Sequence, residues 1–193
     1  MQIKEEKQKL RKKAAALRSS VGNKDALSRK IAEKLFSLDV YLSCEKVFAY
    51  FSYSQEVQTE FIIEKALADG KKVALPRCES PGAMSFYYIE SAAGLETGAF
   101  KGILEPKANA EKAEADEKTL VIVPALAYGR DGTRLGHGMG YYDRFLSVCR
   151  GKTIGLCFEK CLFKTLPQDG FDRPVSVIIT ENEILSGSKA AQT

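Results

Sequence analysis

The chain has 193 residues, 45% of them apolar and 28% charged, with a formal net charge of +4. That length supports a substantial hydrophobic core, and the balance of apolar to charged residues argues against a disordered chain. No run approaches the roughly 20 apolar residues of a membrane span, and Glu5 and Glu6 with no apolar stretch behind them are unlike a signal peptide, so a cytoplasmic protein without a membrane partner is expected.

Residues 3–19 read as a helix, free of Gly and Pro, with Ile3, Leu10, Ala14 and Leu17 at near-helical spacing. Much of the positive charge sits there, in "KEEKQKLRKKAAALR", which suits either a solvated face or an anionic ligand. After the break at "VGN", a second helix is predicted over 24–37, with Asn23 as its cap and Leu27, Ile31 and Leu35 on one face. "KVFAYFS" predicts a strand, and "TEFIIEKALADG" a helix capped by Thr59 and closed by Gly70. "KKVALP" predicts a strand stopped by Pro76, and "SFYYIE" another in a neighbourhood made turn-rich by Gly82, Gly94, Gly98 and Gly102. The polar stretch "PKANAEKAEADEK" reads as a solvated surface excursion. "TLVIVPALAY" is the strongest buried strand, "GYYDRFLSVCR" a short helix, and "TIGLCF" and "VSVIIT" two more strands.

This alternation predicts an α/β fold over 1–193 as a single domain, with N-terminal helices over about 1–37 and an α/β core over about 45–185. The core is expected to be a mixed, mostly parallel sheet flanked by helices in a Rossmann-like three-layer arrangement. Such sheets bind ligands at the carboxyl ends of their strands, which points to the loop after "TLVIVPALAY". Five cysteines (Cys44, Cys78, Cys149, Cys157 and Cys161) are an odd number without CxxC spacing, so reduced thiols are expected rather than a disulfide framework or a zinc site.

That loop contains "RLGHGMGYYDRF", residues 134–145. Gly136, Gly138 and Gly140 alternate before a helix start, where backbone N–H groups can turn toward an anion. A helix end supplies only about 0.3–1 kcal/mol, so a polyphosphate would also need cations, and Arg130 and Arg134 are nearby. The pattern is neither a Walker A loop nor the dinucleotide fingerprint, and on glycine count alone a structural turn is the simpler reading. Asp143, in the first turn of the predicted helix, is either an ordinary helix-terminus residue or a ligand for Mg2+ beside a bound phosphate. His137, the one histidine, either contacts phosphate or a base or is merely exposed.

The longer segment "VPALAYGRDGTRLGHGMGYYDRFL", residues 123–146, resembles the signature of the 5-formyltetrahydrofolate cyclo-ligases, also called 5,10-methenyltetrahydrofolate synthetases. "KQKLR", "YFSYSQEVQTE", "VALPR", "FKGILEP" and "GFDRPVSVIITE" are similar to further family elements, in family order along nearly the whole chain. The resemblance implies an α/β sheet enzyme dependent on ATP and Mg2+. It would convert 5-formyltetrahydrofolate, polyglutamylated or not, to 5,10-methenyltetrahydrofolate through an iminium phosphate, releasing ADP and phosphate.

Residue by residue, the resemblance implies catalytic roles for Arg134 and Asp143, and an ATP site formed by Arg134, Leu135, Gly136, His137, Gly138, Met139, Gly140, Tyr141 and Tyr142, with Lys7 and Arg11 reaching in from the first helix. It further implies Mg2+ on Asp143 and Asp172, and folate contacts from Phe51 and Glu56. Gly129, Met139, Cys161 and Phe171 depart from the family pattern; where some members carry lysine, Met139 removes a phosphate cation, which would either weaken ATP binding or shift that duty to Arg77 or Arg130. A monomer or small homo-oligomer with no nucleic-acid partner is expected. Two other readings stay open: a non-catalytic nucleotide- or RNA-associated module of the same fold, and a phosphotransferase acting on another substrate.

Overall fold

A computed structural model of the chain describes residues 2–80, 82–98 and 102–187. The chain begins with α1 (Gln2–Ser19) and α2 (Lys24–Phe36), followed by a short helix, α3 (Asp39–Ser43), that the apolar pattern did not announce. The next elements are β1 (Lys46–Phe48), α4 (Glu60–Ala68), β2 (Lys72–Ser80) and β3 (Ala83–Ile89). Three two-residue strands come next, β4 (Glu96–Thr97), β5 (Leu104–Glu105) and β6 (Lys112–Ala113), and then β7 (Thr119–Val123), β8 (Ala127–Gly129) and β9 (Arg134–Leu135). The chain closes with α5 (Tyr141–Leu146), β10 (Lys152–Leu156), β11 (Leu162–Phe163), β12 (Val177–Ile179) and β13 (Ile184–Ser186).

Eight strands form the main sheet in the order β13-β12-β10-β7-β1-β2-β3-β6. The five central strands, β12 through β2, run parallel, and antiparallel pairings add β13 at one edge and β3 and β6 at the other. All five residues of β7 are buried, as a strand covered on both faces requires. One core cluster joins Ile31 and Leu35 of α2 and Ile62 and Ile63 of α4 to Leu120 and Ile122 of β7. A second joins Val121 and Val123, the alternate side chains of β7, to Phe48, Phe86 and Tyr128, with Tyr142 and Phe145 of α5 packed on it. The sheet is therefore the middle of three layers, as expected.

Several local expectations are corrected. "TLVIVPALAY" is two strands: Pro124 lacks an N–H to continue the ladder, and β8 leaves to pair with β9 and β11 in a small second sheet. Tyr128 pins the break by donating its hydroxyl to the Val123 carbonyl at 2.5 Å. Pro76 does not stop β2; pairing with β1 ends at Ala74, so beyond it β2 has β3 on one side, and a missing N–H is tolerated at such an edge. Neither expected cap is made by its side chain: Asn23 holds its position by a left-handed backbone, and Thr59 donates its hydroxyl to the Tyr50 carbonyl at 2.6 Å. The polar excursion is not wholly solvated, because it supplies β6 and the buried Ala113. "FKGILEP" lies partly outside the described residues.

The strand order places β1 at a switch point, with α4 and β2 to one side and β7 and β10 to the other. The loops leaving the carboxyl ends of β1 and β7, residues 49–59 and 124–140, therefore diverge around a crevice. Among the described residues no helix is long and apolar enough to cross a membrane.

Candidate functional site

β9 pairs antiparallel with β8, setting Arg134 opposite Tyr128, and the chain then enters the glycine loop. Gly138 and Gly140 have φ of +94° and +69°, in the left-handed region that side chains with a Cβ disfavour. The space beside each loop glycine is taken by an arginine. A Cβ would lie 2.7 Å from Arg134 Nη1 at Gly136, 3.2 Å from Arg11 Cζ at Gly138 and 2.7 Å from Arg144 Nη1 at Gly140. Three guanidinium groups thus lie against the backbone of one loop. Arg11 also ties α1 to it, donating from Nε to the Gly136 carbonyl at 2.9 Å.

Here a cavity of about 640 Å³ opens between α1, the glycine loop, α5 and residues 169–173. Six cationic side chains line it (Lys4, Lys7, Arg11, Arg134, Arg144 and Arg173) against three carboxylates, Asp143, Asp169 and Asp172. The excess of three positive charges suits a polyanion held close to the glycine backbone.

The acids are already engaged. Lys7 Nζ lies 2.6 Å from Asp169 Oδ2 and 2.5 Å from Asp172 Oδ2, with the lysine side chain 8% exposed. Burial alone pulls the Lys7 ammonium down, but its hydrogen bonds to Asp169 and Asp172 outweigh this and hold it above its ordinary value. The same lysine contact holds the Asp169 carboxyl below the usual carboxylate range. Arg134 Nη2 donates to Asp143 Oδ1 at 2.6 Å, while Arg134 Nε is buried with no hydrogen-bond partner.

Among the described residues no group of three or more His, Cys, Asp or Glu side chains gathers as a metal shell. Asp143 and Asp172 nevertheless line the same cavity. Two carboxylates in a cavity with an excess of cations would suit Mg2+, an ion that is commonly bound by one or two carboxylates and keeps several waters.

Residues 3–181 match the model of the 5-formyltetrahydrofolate cyclo-ligase family. The chain belongs to that family of ligases. The structure is similar to that of a 5,10-methenyltetrahydrofolate synthetase from Aquifex aeolicus, with a TM-score of 0.83 and 33% identity over 97% of this chain and 95% of that one. A synthetase structure from Mycoplasma pneumoniae shares the fold, with a TM-score of 0.73 and 23% identity over 91% and 98% of the two chains. A probable 5-formyltetrahydrofolate cyclo-ligase of Schizosaccharomyces pombe is 28% identical, covering 89% of this chain and 94% of its own.

Of the residues singled out by the cyclo-ligase resemblance, Lys7, Arg11, Arg134, Leu135, Gly136, Gly138, Gly140, Asp143 and Asp172 line the cavity. His137 and Met139 are exposed loop residues outside its lining. Tyr141 and Tyr142 are also outside the lining but touch two arginines that belong to it: the Arg144 guanidinium lies 5.7 Å from the Tyr141 ring and that of Arg134 lies 5.8 Å from the Tyr142 ring. Tyr142 also packs edge-on against Phe86, and burial drives its phenol well above the ordinary value. Phe51 and Glu56 do not line the cavity. Phe51 packs on the core, and Glu56 lines a second cleft of only about 10 Å³ with Arg18, Tyr50, Pro124 and Phe158.

Lys4, Arg144, Asp169 and Arg173 supply the remaining charged groups of the cavity and were not nominated from sequence. Arg144 was within reach, since it lies inside the signature itself. The expectation that Arg77 or Arg130 replaces the cation lost at Met139 is corrected: Arg77 donates to the Pro106 carbonyl, Arg130 pairs with Glu183 at 2.7 Å, and neither lines the cavity. The Gly129 departure has a steric reason, because a Cβ there would lie 2.2 Å from Thr133 Oγ1 and 2.8 Å from Asp131 Oδ1. Cys161 is buried beside α1, and Phe171 stands 84% exposed at the cavity rim.

Proposed function

We propose that the chain, acting as one domain over 1–193, converts 5-formyltetrahydrofolate to 5,10-methenyltetrahydrofolate with MgATP, releasing ADP and phosphate. The observation that carries this reading is the cavity in which six cations and a three-glycine loop converge, in a chain of the cyclo-ligase family. The A. aeolicus neighbour supports the same product.

Ring closure between N5 and N10 requires loss of the formyl oxygen, and hydroxide is a poor leaving group. The formyl oxygen attacks the γ-phosphorus of ATP, expelling ADP and leaving an iminium phosphate. N10 then adds to the iminium carbon, its proton is lost, and phosphate departs with the former formyl oxygen. Such phosphoryl transfer asks for alignment and charge neutralisation rather than a covalent nucleophile. Arg134, Arg11 and Lys7 neutralise the phosphates, and the glycine loop lets them approach the backbone. Asp143 and Asp172 would hold Mg2+, which would supply further charge neutralisation at the phosphates. Glu56 takes the N–H groups of the pterin once the cleft around it, about 10 Å³ here, has widened to admit the ring, with Phe51 nearby in sequence on the same loop.

The experiment mixes purified protein with 5-formyltetrahydrofolate and MgATP and follows the near-ultraviolet absorbance of the methenyl product. Growth of the signal that requires both ATP and Mg2+ supports the reading. Bound ATP without product would favour a phosphotransferase acting on another substrate.

A further inference from the structure

We infer that Arg18 is a positioning residue for the substrate: it fixes the Glu56 carboxylate in the orientation that takes the folate. The inference rests on the folate reading of Glu56 given above.

Arg18 lies in the last turn of α1, where an arginine complements the helix dipole equally well from solvent. Here it is buried instead, with its side chain 11% exposed and that of Glu56 12% exposed. Its Nη1 reaches two groups on two other segments: it donates to the Ala125 carbonyl at 3.2 Å and lies 3.8 Å from Glu56 Oε1. The other carboxylate oxygen, Oε2, accepts the Tyr53 N–H at 3.0 Å. Glu56 is thereby held from two directions. Ala125 belongs to the connection after β7 and Glu56 to the loop after β1, so one guanidinium joins both walls of the crevice at the switch point.

Arg18 Nε is buried with no hydrogen-bond partner, a cost that calls for a role beyond packing. Both contacts come from Nη1, which the rigid guanidinium plane holds in place beside the carbonyl and the carboxylate. A lysine would keep the charge on a flexible stem and lose that fixed placement.

The test is steady-state kinetics on the full chain and its variants Arg18→Gln and Arg18→Lys, with the KM of each substrate measured at saturation of the other. Arg18→Gln is expected to raise the KM for 5-formyltetrahydrofolate about tenfold, with a much smaller change in kcat. The KM for ATP is the internal control, because Lys7 and Arg11 sit on the same helix and report whether α1 has moved. It is expected to stay near the wild-type value. Combining Arg18→Gln with Glu56→Gln is expected to cost little more than Glu56→Gln alone.

A folded Arg18→Gln protein with wild-type folate KM overturns the inference, as does a parallel rise in both KM values, which marks a purely structural role. If Arg18→Gln does not fold, Arg18→Lys decides by the same criteria: a raised folate KM with an unchanged ATP KM supports the inference, and a wild-type folate KM ends it. A wild-type chain that never turns over 5-formyltetrahydrofolate would overturn the folate reading and this inference with it. Turnover in the wild type with no selective change in the variants overturns this inference alone.

Discussion

Arg134 Nη2 and Asp143 Oδ1 lie 2.6 Å apart at the exit of the glycine loop, with the arginine side chain only 5% exposed. The pair neutralises the proposed phosphate cation and the proposed metal ligand against each other. On that proposal a polyphosphate would compete for Arg134 and leave Asp143 available to Mg2+, so nucleotide and metal binding are expected to reinforce one another. Asp143→Asn is expected to raise the Mg2+ concentration needed for half-maximal turnover about tenfold or more, with the fold retained by circular dichroism. Arg134→Lys is expected to lower kcat about 100-fold, because it keeps the charge and loses the fork. Unchanged Mg2+ dependence in Asp143→Asn would remove that carboxylate from the metal site.

Gly138→Val tests the close approach of the loop. With φ of +94° and Arg11 Cζ 3.2 Å from the position of a Cβ, a branched side chain both strains the backbone and displaces Arg11, a proposed phosphate cation. We expect ATP affinity, measured by calorimetry in the absence of folate, to fall about tenfold or more. Wild-type affinity in the folded variant would count against the cradle.

Met139 is half-exposed on the same loop. Met139→Lys adds one cation near the cavity without disturbing a buried group. ATP binding is expected to tighten about fivefold at low ionic strength, with the gain shrinking as salt is added. A gain that is absent at low salt would place residue 139 out of electrostatic reach of the phosphates.

Asp116 gives a pH signature away from the site. It accepts hydrogen bonds from Lys46 Nζ at 2.7 Å and Thr119 Oγ1 at 2.8 Å, and the lysine contact, followed by the threonine one, draws its carboxyl down to about 2. The unfolded chain has a pKa near 3.9, so the folded value is the lower one. The stabilisation is therefore present above about pH 4 and is lost as pH falls toward the folded value. The difference in Tm between wild type and Asp116→Asn is expected to be level from pH 5 to 8 and to narrow below about pH 4. A constant difference down to pH 2.5 would show that the charge of Asp116 makes no contribution.

The sheet and the loop were legible because their signals are local. An apolar run such as β7 is read from its own residues, and glycines at alternate positions announce a backbone that a Cβ would obstruct. The site's electrostatics were not legible in the same way. Lys7 and Asp172 are 165 positions apart, and nothing near either one reports the other. Arg18 closes a strongly basic helix, where a charged residue is ordinarily solvated, so its burial against Glu56 depends on how α1 docks. That docking runs through Ala14, packed with Leu126, Ala127 and Leu135, a contact between distant segments. Pro124 carried a local signal that the long apolar run obscured: the strand had to end there, and β8 had to find another sheet.

The most direct test of the account follows the formyl oxygen. 5-Formyltetrahydrofolate labelled with 18O in the formyl group is turned over by the protein with unlabelled MgATP, and the released inorganic phosphate is analysed by mass spectrometry. Transfer of that oxygen to the γ-phosphoryl group in the glycine-loop cavity predicts one 18O atom in each phosphate formed. Product formed with unlabelled phosphate, its oxygen lost to water instead, would contradict phosphoryl activation of the formyl group.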